Sequence, residues 1–399
     1  MTLQSLGQSS AGESTPTRFS STAPLSLPSS TSVLRMAFIP RLESLRGIAA
    51  LTVVACHVWG QFSDTPSAGW DAAAFYILNG LSNGTGAVVG FFVISGFVLA
   101  RSLEANLDAV RYFRNRAFRL FPAAIAVVAL LAALHRWFGI YVMYEGDFSP
   151  GNVLLNMLMI RTDINAVMWS MKVECFATPL ILLSAWLVKR DGAPWLWAVI
   201  LVLFGLSFWG PYVHALGDST NLAPLYAFVV GVLTQNYGRR LFDMRPSVAT
   251  AAAILSVILF CYLGTRKQTA PILLLECFSA AWLVALIAWC PVWIFKPLDF
   301  GPVRFYGKIS YSFYLLHVLG ILFADRILGL AGVSLSGLPV SVGTIALTVL
   351  SVMVTTPAAY LCWRFVEKPC INFGKRRFSA GSLMNVQLEA KTAAGGSPS

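Results

Sequence analysis

Residues 41–57 read Arg-Leu-Glu-Ser-Leu-Arg-Gly-Ile-Ala-Ala-Leu-Thr-Val-Val-Ala-Cys-His. After Arg46 no charged residue occurs before His57, and the apolar run continues through Val58 and Trp59. A stretch this long and this apolar suits a helix crossing a hydrocarbon core of about 30 Å, which takes roughly 20 residues. Arg46 and His57 lie eleven residues apart, almost three whole turns, so they share one face of that helix about 16 Å apart along its axis. A cation at one surface therefore lies directly below an imidazole at mid-depth. Two readings stay open. In one, Arg46 anchors the helix among headgroups and His57 makes an interhelical hydrogen bond. In the other, Arg46 holds the charged end of a long anionic substrate while His57 meets its reacting end.

Outward from this stretch the pattern repeats. The chain has 399 residues, 57% hydrophobic and 12% charged, with mean hydropathy +0.69, against about 25% charged residues in soluble domains. An ordinary soluble enzyme, a disordered chain and a fibrous chain are excluded. Ten apolar segments centre on 45–62, 86–100, 120–138, 167–188, 194–210, 222–236, 248–264, 271–294, 309–328 and 341–363. The expected fold is an all-α, polytopic transmembrane helical bundle of about ten spans. Residues 152–160 are apolar but too short to span, and are expected at the outer interface or as a re-entrant piece. Residues 1–37 are rich in Ser, Thr, Pro and Gly and read as a disordered tail, with Met36 a second candidate start; 38–370 read as one membrane domain and 371–399 as a cytoplasmic low-complexity tail.

The net charge of +11 suggests nucleic acid only in a soluble protein. With the N-terminus cytoplasmic, 23 of the 29 Lys and Arg fall on inner loops. Five (Arg136, Arg161, Arg266, Lys267 and Arg326) fall outside, and Lys172 lies within a span. This positive-inside bias predicts both termini in the cytoplasm and a multi-pass protein of the inner (plasma) membrane, with membrane lipid rather than nucleic acid as its surroundings. Seven cysteines scatter without a CxxC pair, so neither a disulfide nor a metal site is expected. No phosphate-binding glycine loop follows a strand, which removes nucleotide-driven transport.

Further polar groups are few. Arg111, Arg114, Arg116 and Arg119 crowd the helical approach to the third span, where i,i+3 pairing of guanidinium groups suits a phosphorylated cofactor or, more plainly, orientation and anionic lipid. Trp169-Ser-Met-Lys-Val-Glu174 opens the fourth span, placing Glu174 about 7 Å below an interfacial tryptophan. It is read as a site carboxylate that accepts from an acceptor hydroxyl or orients an imidazolium, or as a structural partner of Lys172 or of another helix; Glu276 in the eighth span is read as a polar contact. Ser310, Tyr314 and His317 follow i, i+4, i+7 spacing on one face of the ninth span, with His317 again near mid-depth, as a second polar wall or a structural hydrogen bond.

These blocks, taken in order, resemble the acyltransferase-3 family of integral-membrane acyltransferases. The resemblance rests on residues 41–57, Gly90-Phe-Phe-Val-Ile-Ser-Gly-Phe97, Tyr112 to Pro122, Trp169 to Glu174, Ile309 to His317 and Trp363-Arg-Phe-Val-Glu-Lys-Pro369. It covers about residues 38–370. It implies transfer of an acyl group, commonly acetyl, from cytoplasmic acyl-coenzyme A to a hydroxyl of a carbohydrate or lipid-linked glycan. It places the family's Arg and His on Arg46 and His57, its arginine pair on Arg116 and Arg119, and its Trp-Ser-x-x-x-Glu block on Trp169, Ser170 and Glu174. The block departs from the usual pattern at Cys175-Phe176-Ala177, where a second acidic residue and an aromatic pair often follow.

Joined to the spacing, the resemblance gives a set of expectations. Arg46, Arg114, Arg116 and Arg119 hold acyl-coenzyme A, His57 acts as general base or as an acylated relay, and Glu174 assists it. Trp169, Ser170, Tyr314 and His317 form the acceptor side, and no metal takes part. The acceptor stays open among exopolysaccharide, lipopolysaccharide, an oligosaccharide signal and a macrolide-like small molecule. The rival reading is a membrane transporter of a glycan or acyl group that uses the same intramembrane polar residues.

Overall fold

A computed structural model of the chain describes residues 39–62, 69–209, 212–215, 218–241, 243–335 and 338–375. The expected N-terminal tail and most of the expected C-terminal one lie outside the described residues. All ten apolar segments are helices. They are α1 (Pro40–Trp59), α3 (Gly84–Ala105), α4 (Ala109–Phe138), α6 (Trp169–Asp191), α7 (Trp195–Ser207), α8 (Tyr226–Tyr237), α9 (Pro246–Gly264), α10 (Ala270–Trp289), α11 (Gly301–Leu330) and α12 (Val340–Cys362). Two short helices join them, α2 (Trp70–Leu81) and α5 (Pro150–Met157). The only sheet among the described residues is a hairpin of β1 (Tyr212–Ala215) against antiparallel β2 (Asp218–Asn221).

Length divides the ten segments. Eight helical stretches are long and apolar enough to cross a membrane, whereas α7 and α8 have 13 and 12 residues, about 20 and 18 Å at 1.5 Å per residue. Single-turn 3-10 pieces, Ala223–Leu225 and Gly238–Leu241, lengthen α8 at both ends. Expected boundaries also move. The third segment starts not at 120 but at Ala109, because the Asp108 side chain caps the helix by accepting from the Arg111 N–H at 2.9 Å. The arginine-rich approach and the span are one 30-residue helix, closed by Gly139 in the left-handed conformation (φ 64°). The short 152–160 segment is α5. A break at Ser82–Asn83 separates α2 from α3, where Asn83 caps α3 through the Gly86 N–H.

Polar-free helices have no hydrophobic drive to associate in lipid, so packing depends on close backbone approach at small residues. At Gly96 of α3 and Gly231 of α8 an added Cβ would collide with the other helix's backbone, at Phe228 and Val93 respectively. The outward faces stay apolar: Leu255, Val257 and Ile258 on α9 and Val349 and Met353 on α12 are exposed, as lipid-facing surfaces require. The buried core runs along α1, α3, α8, α10 and α11.

Candidate active site

The frame of the site is the crossing of α1 and α11. A Cβ on Gly47 would stand 2.5 Å from the Gly307 nitrogen and 2.8 Å from the Tyr306 carbonyl carbon, and one on Gly307 would stand 2.5 Å from the Glu43 oxygen. The two backbones therefore touch, and side chains flanking these glycines face one another. The start of α1 is pinned as well. Arg41 pairs with Asp299 at 2.6 Å, Arg304 reaches the same carboxylate at 3.2 Å, and Ser44 Oγ donates to the Leu298 carbonyl at 2.6 Å. The hydrogen bond from Arg41 holds the Asp299 carboxyl below the usual range, outweighing the opposing effect of burial.

A funnel of about 570 Å³ opens where α3 ends and α4 begins. Five cations line it, Arg46, Arg111, Arg116, Arg119 and Lys375, against three carboxylates, Glu43, Asp108 and Glu174. Arg116 and Glu174 form a buried ion pair at 2.5 Å, and Ser95 Oγ donates to Glu174 at 2.7 Å. Arg119 pairs with Glu367 at 2.6 Å and lies over the Tyr311 ring, 5.7 Å from its centroid. Glu367 reaches that place because the helix after Cys362 widens into a π-helical turn over Trp363–Glu367 before running on to Lys375. Such bulges re-aim a side chain without ending the helix. Ser312 Oγ satisfies the other Glu367 oxygen at 2.7 Å. Arg46 makes no hydrogen bond or close ion pair among the described residues, and it lines the funnel's deep end.

Beyond Arg46 lies a cavity of about 30 Å³ bordered by Ser95, Ser170, Glu174, Ser310 and Tyr314, room for one water- or methyl-sized group. Tyr314 OH donates to the Val167 carbonyl at 3.1 Å and accepts from Ser170 Oγ at 2.9 Å. Ser310 Oγ is buried with no hydrogen-bond partner among the described residues. The Tyr314 ring is 5.5 Å from that of His317, and His317 is 5.1 Å from His57. From funnel to imidazole the order is Arg46, the small cavity, Tyr314, His317 and His57.

The residues singled out from the sequence are not all brought together. Arg46, Arg116, Arg119, Glu174, Ser170 and Tyr314 converge on the two cavities, and His57 with His317 stands one ring further on. Arg114 does not line the funnel, because on α4 its neighbour Arg111 takes the inward position. Trp169 lines neither cavity; it meets the edge of Phe92 in the core at 6.4 Å. Glu174 is directed at Arg116 and Ser95, not at an outer acceptor subsite. Glu276, read as a polar contact, accepts from Asn83 Nδ2 at 2.9 Å. Ser95, Tyr311 and Glu367 escaped sequence reasoning, although each sits inside a block quoted above. Only contact across helices shows that Ser95 and Tyr311 face the funnel and that Glu367 holds Arg119. No cluster of three metal-ligating side chains exists among the described residues.

Bundle and site together define a polytopic membrane protein with a funnel lined mainly by cations, which narrows at Arg46 toward a small cavity beside Tyr314. The chain belongs to the acyltransferase-3 family, whose acyltransferase-domain model matches residues 39–364. It is an acyltransferase, which decides against the transporter reading. Acyltransferase MdmB of Streptomyces mycarofaciens is 26% identical over 86% of this chain and 94% of its own length. BcsY of Komagataeibacter xylinus, described as a membrane-bound transacylase, is 26% identical over 74% of this chain and 78% of its own. ORF330 of Acidianus two-tailed virus, described as an acetyltransferase, is 21% identical over 74% and 86%. No solved structure matches the chain.

Proposed function

We propose that this acyltransferase moves an acetyl group from cytoplasmic acyl-coenzyme A to a hydroxyl of a cell-surface or lipid-linked carbohydrate, with His57 as the base. The observation that carries the reading is the funnel with its excess of cations, narrowing at Arg46 onto the cavity beside Tyr314. A long thin donor with a phosphate-rich head fits such a shape. Its head meets Arg111, Arg116 and Arg119, which offer charge-assisted hydrogen bonds to phosphate. Its thioester passes Arg46 toward the imidazoles. Arg116 and Arg119 enter the funnel already paired with Glu174 and Glu367, so they are fixed in direction before any ligand arrives, which lowers the ordering cost of binding. Glu174 serves by holding Arg116, and Ser170 by holding the Tyr314 hydroxyl.

The relative described as an acetyltransferase supports acetyl as the group moved. The acceptor class rests on the family resemblance, with an exopolysaccharide first among the candidates. The loop charges support a plasma-membrane protein with the funnel mouth and both termini on the cytoplasmic side. The test uses purified protein in liposomes with labelled acetyl-coenzyme A and membrane glycan. Arg46→Ala is expected to raise KM for acetyl-coenzyme A, and His57→Ala to remove about 10² to 10⁴ of the rate, the usual share of a general base. A correctly inserted His57→Ala protein with full transferase activity overturns the role of His57; unaltered donor affinity in Arg46→Ala overturns the funnel assignment.

A further inference from the structure

His317 is completely buried, and its ring nitrogens are not equivalent. Nδ1 lies 2.5 Å from the Tyr314 carbonyl oxygen. A carbonyl only accepts, so the proton of the neutral ring is on Nδ1 and the lone pair is on Nε2. Nε2 is buried with no hydrogen-bond partner among the described residues. An acceptor left so in a low-dielectric interior is costly unless a donor reaches it. The neighbouring ring is that of His57, with centroids 5.1 Å apart and planes tilted by 39°. His57 makes no hydrogen bond of its own among the described residues. Catalytic hydrogen bonds are often open in the free enzyme and close when substrate binds.

We propose that His317 is the positioning residue of His57: its Nε2 accepts the His57 N–H and so fixes the His57 tautomer with a lone pair on the other nitrogen, aimed at the acceptor hydroxyl. The proposal rests on His57 being the base. The chain then runs from the Tyr314 carbonyl through His317 to His57, with a neutral imidazole in the place a carboxylate takes in a serine-hydrolase triad. Inside a membrane that choice avoids burying a negative charge. In the transfer, the acceptor oxygen forms a bond to the thioester carbonyl carbon and the carbon–sulfur bond breaks. The hydroxyl proton goes to the free His57 nitrogen and from there to the departing thiolate, so both imidazoles end as they began. His317 shares the transient imidazolium charge through its hydrogen bond and gains no covalent partner.

Two substitutions separate this role from a structural one. Asn at position 317 keeps a donor where Nδ1 was and has nothing at the Nε2 position; Gln places an amide oxygen near Nε2 and loses the Nδ1 donor. With labelled acetyl-coenzyme A and native membrane glycan as acceptor, His317→Asn is expected to lose about 100-fold in kcat with donor KM nearly unchanged. His317→Gln is expected to recover about tenfold of that loss. The reverse order, with Asn active and Gln dead, overturns the proposal and leaves His317 as a helix brace. Where neither variant folds, nitrogen-15 histidine spectra of the unaltered protein decide, since the chain has only four histidines. A neutral His317 protonated on Nδ1 supports the chain of hydrogen bonds, and one protonated on Nε2 refutes it. Wild-type protein that fails to use acetyl-coenzyme A sinks the donor reading instead, a result distinct from an indifferent position 317.

Discussion

Replacing Gly47 by Ala tests whether the backbone contact of α1 with α11 builds the site. The new Cβ would lie 2.5 Å from the Gly307 nitrogen, whereas ordinary van der Waals contact begins at 3.4 Å. The atoms it meets are backbone, so no side chain can swing away, and the helices must part by about 0.9 Å, the difference of those two distances. Overpacking of this kind costs about 1–3 kcal/mol, which a bundle of this size survives. The functional effect is larger. Arg46 and His57 are carried on α1 and Ser310, Tyr314 and His317 on α11, and a misplacement of about 1 Å in a catalytic array costs on the order of 10²-fold. Steady-state kinetics on protein in liposomes, beside a thermal melt, should show kcat falling by about that factor. Donor KM should change less, because only Arg46 of the donor-binding arginines rides on α1 while Arg111, Arg116 and Arg119 belong to α4. Gly329→Ala, where a Cβ meets nothing within 4 Å, is the control and should be silent. Full activity in Gly47→Ala at an unchanged melting temperature would refute the argument that this crossing sets the register of the site.

Other outcomes follow from the same geometry. Glu174→Ala strands the buried Arg116 cation and is expected to cost about 3–5 kcal/mol of stability, while the double change Arg116→Met with Glu174→Met costs less despite altering more atoms; melts of the three proteins check this, and equal losses count against it. Glu367→Ala frees Arg119 from its 2.6 Å pairing, so donor KM should rise about tenfold, the worth of one charge-assisted hydrogen bond, with kcat nearly kept. Because the Asp299 carboxyl is held below its ordinary value by Arg41, its stabilisation is full above about pH 4 and is lost as pH falls through the folded value. Melts of wild type and Asp299→Asn should differ at neutral pH and converge in acid, and a gap that widens in acid would show the pairing to be unimportant.

Most of the architecture was legible because lipid imposes a one-dimensional rule: a chain segment either carries enough apolar length to cross or it does not. Every one of the ten apolar segments is a helix. The errors lie at ends, where capping chemistry overrides hydropathy. Asp108 starts α4 eleven residues before the apolar run. α7 and α8 are shorter than their segments, with the β1–β2 hairpin and one short 3-10 piece between them. Within the site, helical spacing foresaw that Arg46 shares a face with His57 and that Ser310, Tyr314 and His317 share another. It did not foresee Arg111 in place of Arg114, since a four-arginine stretch on one helix offers several faces and only the neighbouring helix picks one.

The sequence by itself determined that the chain lives in a membrane, where its ten apolar segments lie, and which few polar groups stand at depth, because burying an ionisable side chain in hydrocarbon is costly enough to be informative one residue at a time. Tertiary structure alone decided who meets whom. Glu174 turns to Arg116, Glu367 comes round a π-helical turn to Arg119, and two imidazoles 260 positions apart in the chain lie 5.1 Å from each other. Those pairings depend on glycine-permitted contact between helices distant in sequence, such as Gly47 with Gly307, and no local periodicity encodes a distance between two separate helices.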